Sequence, residues 1–197
     1  MRSLIVLTAI WLTAGAAPIV EPAVLDELKV DRDGEVYVAS ARLQGGLTAE
    51  RIEEIEAGLE ITISYRLNVY RERSGLPNPS VSKLRIECTV QHDALTRQYT
   101  LTRRIDGELQ EKKVTPDAVQ MREFMSVLDR LPVATADEIL PGEGYIIKAR
   151  ADLGLVWRFY MIPWRDRTPW TEATIEVRAA SDREGSDQEG GDDVQAP

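Results

Sequence analysis

The chain has 197 residues, 29% of them charged, and a formal net charge of −9 at pH 7. That length holds one ordinary domain with a real core, and the acidic balance excludes a sequence-independent nucleic-acid binder, which needs a basic face. The single cysteine, Cys88, excludes an internal disulfide, and the single histidine, His92, excludes a site built on several imidazoles.

The chain opens MRSLIVLTAIWLTAGAAP. One basic residue, an apolar run from Leu4 to Leu12 and the small residues Ala14 and Ala16 have the order of a secretory signal peptide. The run falls well short of the ~20 residues that span a bilayer. Residues 1–16 are therefore expected to be cut off after Ala16, leaving an exported protein that is periplasmic or secreted. A single β-rich domain is expected over 17–180.

Val24 to Val30 and Glu35 to Leu43 read as short strands, joined by a tight turn at Asp33-Gly34. Thr48 is an N-cap for a short helix to Ala57, with Ile52, Ile55 and Leu59 at helical spacing and Gly58 as its stop. Glu53, Glu54 and Glu56 form its solvated face rather than a cation site. Next comes GLEITISYRLNVYRER. Ile61, Ile63, Tyr65, Leu67 and Val69 alternate with polar residues, the mark of a long strand with one buried and one wet face.

Ser74 to Ser80 is a loop held by two prolines. Val81 to Val90 is a second long strand, with Leu84, Ile86, Cys88 and Val90 inward. Cys88 in that phase is an inert core thiol. His92 opens the next turn; four positions along an extended strand place it ~13 Å from Cys88, which excludes a Cys/His pair. Tyr99 to Ile105 and Glu108 to Val114 form a hairpin about Asp106-Gly107, the second strand polar enough for a sheet edge.

Thr115-Pro116-Asp117 opens a second helix. Its apolar stripe is Ala118, Met121, Met125 and Leu128, with Phe124 and Leu131 beside it and Pro132 ending it. Ala134 to Glu143 is an irregular link, Tyr145 to Leu153 a further strand, and Thr174 to Val177 a closing one. Residues 181–197 carry almost no apolar side chains and are expected to be a disordered acidic tail.

Several short motifs resemble the DUF4390 family of bacterial exported proteins of unknown function. They are Gly58-Leu59, Tyr65-Arg66-Leu67, Val69-Tyr70-Arg71, Leu95 to Tyr99, the Phe124–Leu131 helix, Ile162-Pro163 and Thr168-Pro169-Trp170. The resemblance covers about residues 35–178. It implies an envelope accessory protein, and a membrane sensor kinase as the kind of protein found alongside it. The tryptophans that this family often carries in the Ser74–Pro77 loop are missing.

No nucleophile elbow, phosphate-cradling loop or metal-ligand spacing occurs, so neither an enzyme nor a cofactor or metal is expected. Two stretches remain as binding candidates. In LVWRFYMIPWRDRTPW, Trp164, Arg165, Arg167 and Trp170 are the residue types that dominate interface hot spots. The alternative is that Trp164 and Trp170 pin a turn beneath Pro163 and Pro169, while the alternation of Trp157, Phe159 and Met161 points those three inward. Arg66, Tyr70, Arg71 and Arg73, with Arg85, form a basic stripe that an acidic partner or a membrane surface would meet; its alternative is a solvated face cross-paired with Glu72 and Glu87. The expectation is a mostly-β, antiparallel two-layer sandwich of about eight strands with two short helices. Its role is that of a non-catalytic accessory module binding a protein partner or membrane-associated component. The alternative is a carrier of an apolar ligand in a cavity of the domain.

Overall fold

The computed structural model describes residues 22–158 and 162–177, without the side chains of 155–158 and 162–164. The expected signal peptide, its cleavage after Ala16 and the acidic tail lie outside the described residues, as do Phe159, Tyr160 and Met161. In chain order the elements are β1 (Val24–Asp33), β2 (Val36–Gln44), α1 (Ala49–Glu56), β3 (Ile61–Arg71), β4 (Ser80–Asp93) and β5 (Gln98–Ile105). They continue as β6 (Glu108–Thr115), α2 (Ala118–Ser126), β7 (Val127–Thr135), β8 (Tyr145–Arg158), β9 (Ile162–Arg167) and β10 (Thr171–Ile175).

The fold is mostly β, with two antiparallel sheets and two short helices. The smaller sheet runs β1-β2-β7; the larger runs β10-β8-β3-β4-β5-β6, with β9 also paired to β8. On the inner face of the larger sheet, β7 crosses β3 and β4, α2 lies on β4 and β5, and β1 meets β8 and β10. One hydrophobic core fills the space between.

β3 is the spine because both of its edges are paired, with β4 on one side and β8 on the other. Its alternation then decides which face is covered. Ile63, Tyr65, Leu67 and Val69 are at most 1% exposed, whereas Thr62, Ser64, Arg66, Asn68 and Tyr70 on the other face stay half-buried. Tyr65 illustrates the cost of burying a polar group in this layer: its hydroxyl donates to the Met125 carbonyl at 2.6 Å, so nothing is left unpaired. Burial, and secondarily the neighbouring Cys88, push its pKa above the ordinary phenol range.

The hairpin at Asp106-Gly107 lies where expected, both residues at positive φ (50° and 89°), as a type I′ turn requires. The first hairpin differs by one residue. Asp33 pairs with Val36, so the loop is Gly34-Glu35, with only Gly34 (φ 62°) in the left-handed region, a II′ pattern. His92 is a strand residue of β4 rather than part of a turn. Its Nδ1 lies 3.2 Å from the Glu56 carbonyl, which can only accept, so Nδ1 is the protonated nitrogen.

The largest departure follows α2. The expected helix reached Leu131; the helix stops at Ser126 and residues 127–135 form β7, which includes Pro132. A bulge at Arg130 (φ 47°) places two outward residues, Asp129 and Arg130, between the inward Leu128 and Leu131. This spacing of three imitates a helix period. Ser40 holds the bulge by accepting the Arg130 amide at 3.1 Å. Arg103 closes the helix end, donating to the Phe124 and Val127 carbonyls and lying 4.5 Å above the Phe124 ring. The expected irregular link thus begins only after Thr135, and β10 begins at Thr171 rather than Thr174.

Cys88 is fully buried opposite Arg103. Burial raises its thiol pKa, with the Arg103 charge opposing in part. The native protein should therefore react with an uncharged alkylating reagent at least ~100-fold more slowly than the denaturant-unfolded chain. Equal rates, followed by mass spectrometry, would show the thiol to be accessible.

Candidate functional site

Two-residue alternation sends the polar residues of β3, β4 and β8 to the outer face of the larger sheet, and the strand registers line them up. Arg66 is directly opposite Arg85 on β4 and opposite Arg150 on β8. With strands ~4.8 Å apart, three guanidinium side chains rise from one lateral row. Neighbouring rows hold Glu87, Ser64, Asp152 and Arg167 on one side and Lys83, Asn68, Lys148 and Glu172 on the other.

β9 and β10 follow one edge of β8 in succession, and the corner between them is pinned. The Thr168 amide donates to the Ala151 carbonyl at 3.0 Å, and its hydroxyl accepts the Ala151 amide at 2.9 Å. That clamp delivers Trp170 to the end of the arginine row, where its ring lies 4.4 Å from the Arg150 guanidinium carbon. Such a stack suits arginine, whose planar, weakly hydrated cation sits well on an indole face. Trp170 remains 41% exposed.

The charges in this region are unbalanced. Asp152 accepts from Arg167 at 3.0 Å and forms an ion pair with Arg165 at 3.4 Å, and Glu87 pairs with Arg85 at 2.7 Å. Among the described residues neither Arg66 nor Arg150 forms an ion pair, and Arg150 Nε is buried without a hydrogen-bond partner. Desolvation, followed by the charges of Arg167 and Arg66, lowers the pKa of Arg150 from its ordinary value, with Asp152 opposing. Guanidinium stays charged in a protein, so the shift expresses first the loss of water around Arg150 and then the cations beside it. Beside the row is a shallow, open hollow of about 520 Å³ lined by Tyr70, Leu76, Asn78, Lys148, Trp170 and Glu172.

Of the sequence candidates, Arg66, Tyr70, Arg165, Arg167 and Trp170 are thus brought to one face. Arg71 is not: it has the opposite parity on β3 and pairs with Glu143 at 3.1 Å. Arg73 lies beyond the strand end, in a separate hollow with Glu72, Ser74 and Asn78. The backbone of Trp164 pairs with Val156, and its side chain is outside the description. Arg150 and Lys148 were missed, although the alternation of Tyr145, Ile147, Ala149, Ala151 and Leu153 already turned them outward. What the chain order hides is that β8 lies beside β3.

Among the described residues no group of three or more His, Cys, Asp or Glu sits together as a metal site, and no helix is long and apolar enough to cross a membrane. The family model described as "Domain of unknown function (DUF4390)" matches residues 21–155. The match takes in β1, upstream of the expected start at 35, and ends before β9. No curated protein and no solved structure matches the chain.

Proposed function

The chain belongs to the DUF4390 family, and from that premise we propose that it is a non-catalytic, exported interaction module of the cell envelope whose outer sheet face receives an acidic segment of a protein partner. The observation that carries this reading is the row Arg85–Arg66–Arg150, capped by Trp170, in a chain of net charge −9. Like charges opposite one another across strands destabilise a sheet. The folded chain therefore holds its cations together at a cost that arriving carboxylates relieve, each through a charge-assisted and often bidentate hydrogen bond.

A narrow acidic strand suits this face better than an anionic membrane. The neighbouring rows carry Glu87, Asp152 and Glu172, which a plane of phosphates would meet head on. Protein contact is also favoured over the carrier alternative, because the space between the sheets is occupied by Tyr65, Tyr145, Ile63, Leu67, Met121 and Met125, all at most 1% exposed.

The test is a fluorescence-anisotropy titration of a labelled oligo-glutamate peptide with the purified full chain, beside an oligo-lysine control and anionic vesicles. Binding should weaken as salt rises. Arg66→Glu and Arg150→Glu should each lower affinity by more than about tenfold while circular dichroism stays unchanged. Undiminished binding by both variants, or binding to vesicles alone, would overturn the proposal.

A further inference from the structure

The arginine row has a candidate occupant within the same chain. Residues 182–193 read DREGSDQEGGDD, six carboxylates against the single Arg183. We infer that this acidic segment folds back over the outer face and occupies the Arg85–Arg66–Arg150 row, so that a partner must displace it. The inference rests on the reading of this face as a receptor for acidic segments and names its first ligand.

The direction of β10 makes this reachable. β10 runs antiparallel to β8, with Thr171 opposite Ala149 and Ile175 opposite Tyr145. The described chain leaves at Val177, beyond the Tyr145 end. From that end, Arg150 lies five residues back along β8, roughly 16 Å. A reversal after Val177 must retrace about seven residue rises, roughly 23 Å, and also step outward, which takes about ten residues. The carboxylates from Asp187 to Asp193 are then within reach of the row. The distance across three strands is ~10 Å, so this segment is more than long enough.

Charge and tethering act together. The row presents cations for which the described residues supply few counter-charges, and the segment is the most acidic stretch of the chain. A short tether places such a ligand at an effective concentration near the millimolar range, enough for a weak contact to be populated. Because the attraction is between exposed charges, salt should release it. Trp170 marks the side of the row nearest the departing chain.

Two measurements on the full chain test this. In the first, Asp182, Glu184, Asp187, Glu189, Asp192 and Asp193 are replaced by their amides, and oligo-glutamate binding is compared with the parent chain. The neutralised chain should bind about tenfold more tightly, because its own competitor has been removed. In the second, Ser186→Cys carries a nitroxide label, attached in the native state, where Cys88 is buried. At low salt the label should broaden the amide signals of Arg66, Arg85 and Arg150, and high salt should restore them.

If either readout is unchanged while oligo-glutamate still binds, the segment is not the occupant, and the reading of the face stands. If the peptide binds neither chain, the reading of the face falls, and the inference falls with it.

Discussion

Leu67→Ala is expected to lower the unfolding free energy by about 3 kcal/mol, within the range of 2–5 kcal/mol for emptying a fully buried leucine site. Leu67 is 1% exposed in the middle of β3, paired with Leu84 on one side and Ala149 on the other. The loss combines the transfer energy of the removed methyl groups with a cavity that a strand held on both edges cannot collapse to fill. One residue along, Asn68 faces outward, and Asn68→Ala should change stability by no more than ~0.5 kcal/mol. Urea unfolding of the two variants checks the contrast. Similar losses at both positions would mean that β3 does not divide a covered face from an open one.

The second large effect is expected at Arg51. This arginine lies on α1 but is only 7% exposed. One guanidinium nitrogen donates to the Gly46 carbonyl at 2.7 Å; the other donates to the Leu153 carbonyl at 3.3 Å and to Asp166 Oδ2 at 2.9 Å. Arg51 thus ties α1 to β8 and β9. A Cβ at Gly46 would fall 2.3 Å from Leu43 Cδ2, and Leu43 is buried, so glycine is needed to bring that carbonyl close. Arg51→Ala strips three acceptors of their donor and should cost about 3 kcal/mol. Arg51→Lys should recover only part of this, since a single ammonium cannot reproduce the fork. Asp166→Asn should cost about 1 kcal/mol, because the carboxylate is partly exposed and its two carbonyl neighbours keep their donors. Thermal melts of the three variants check the order; equal melting temperatures for Arg51→Ala and the parent would remove the anchor.

Both predictions show where a linear reading succeeds and where it stops. Leu67 was legible because a period of two needs only neighbouring residues to declare itself. Arg51 was not: on an eight-residue helix with Glu50, Glu53 and Glu54 it reads as one more solvated charge, and its burial depends on Gly46, Leu153 and Asp166. β7 was misread for a different reason. The Arg130 bulge gives Leu128 and Leu131 a spacing that helix and bulged strand share, and the choice between them falls to Ser40 and Arg103, on β2 and β5.

The candidate site divides in the same way. That Arg66, Arg85 and Arg150 each point away from a core follows from alternation within their own strands. So do the mostly-β character, the hairpin at Asp106-Gly107 and the first helix start at Thr48, which depend on steric and hydrogen-bonding preferences acting over a few residues. The second helix starts later than expected, capped by Asp117 with Thr115 still in β6. That the three arginines form one row depends on β3 pairing with β4 and β8 in a particular register. That Trp170 closes the row depends on Thr168 clasping Ala151. Register is chosen by the burial of the whole inner face, because a slip of one residue would turn every side chain of a strand to the wrong side. Only the assembled core imposes that condition, which is why the faces could be read from the chain and the site could not.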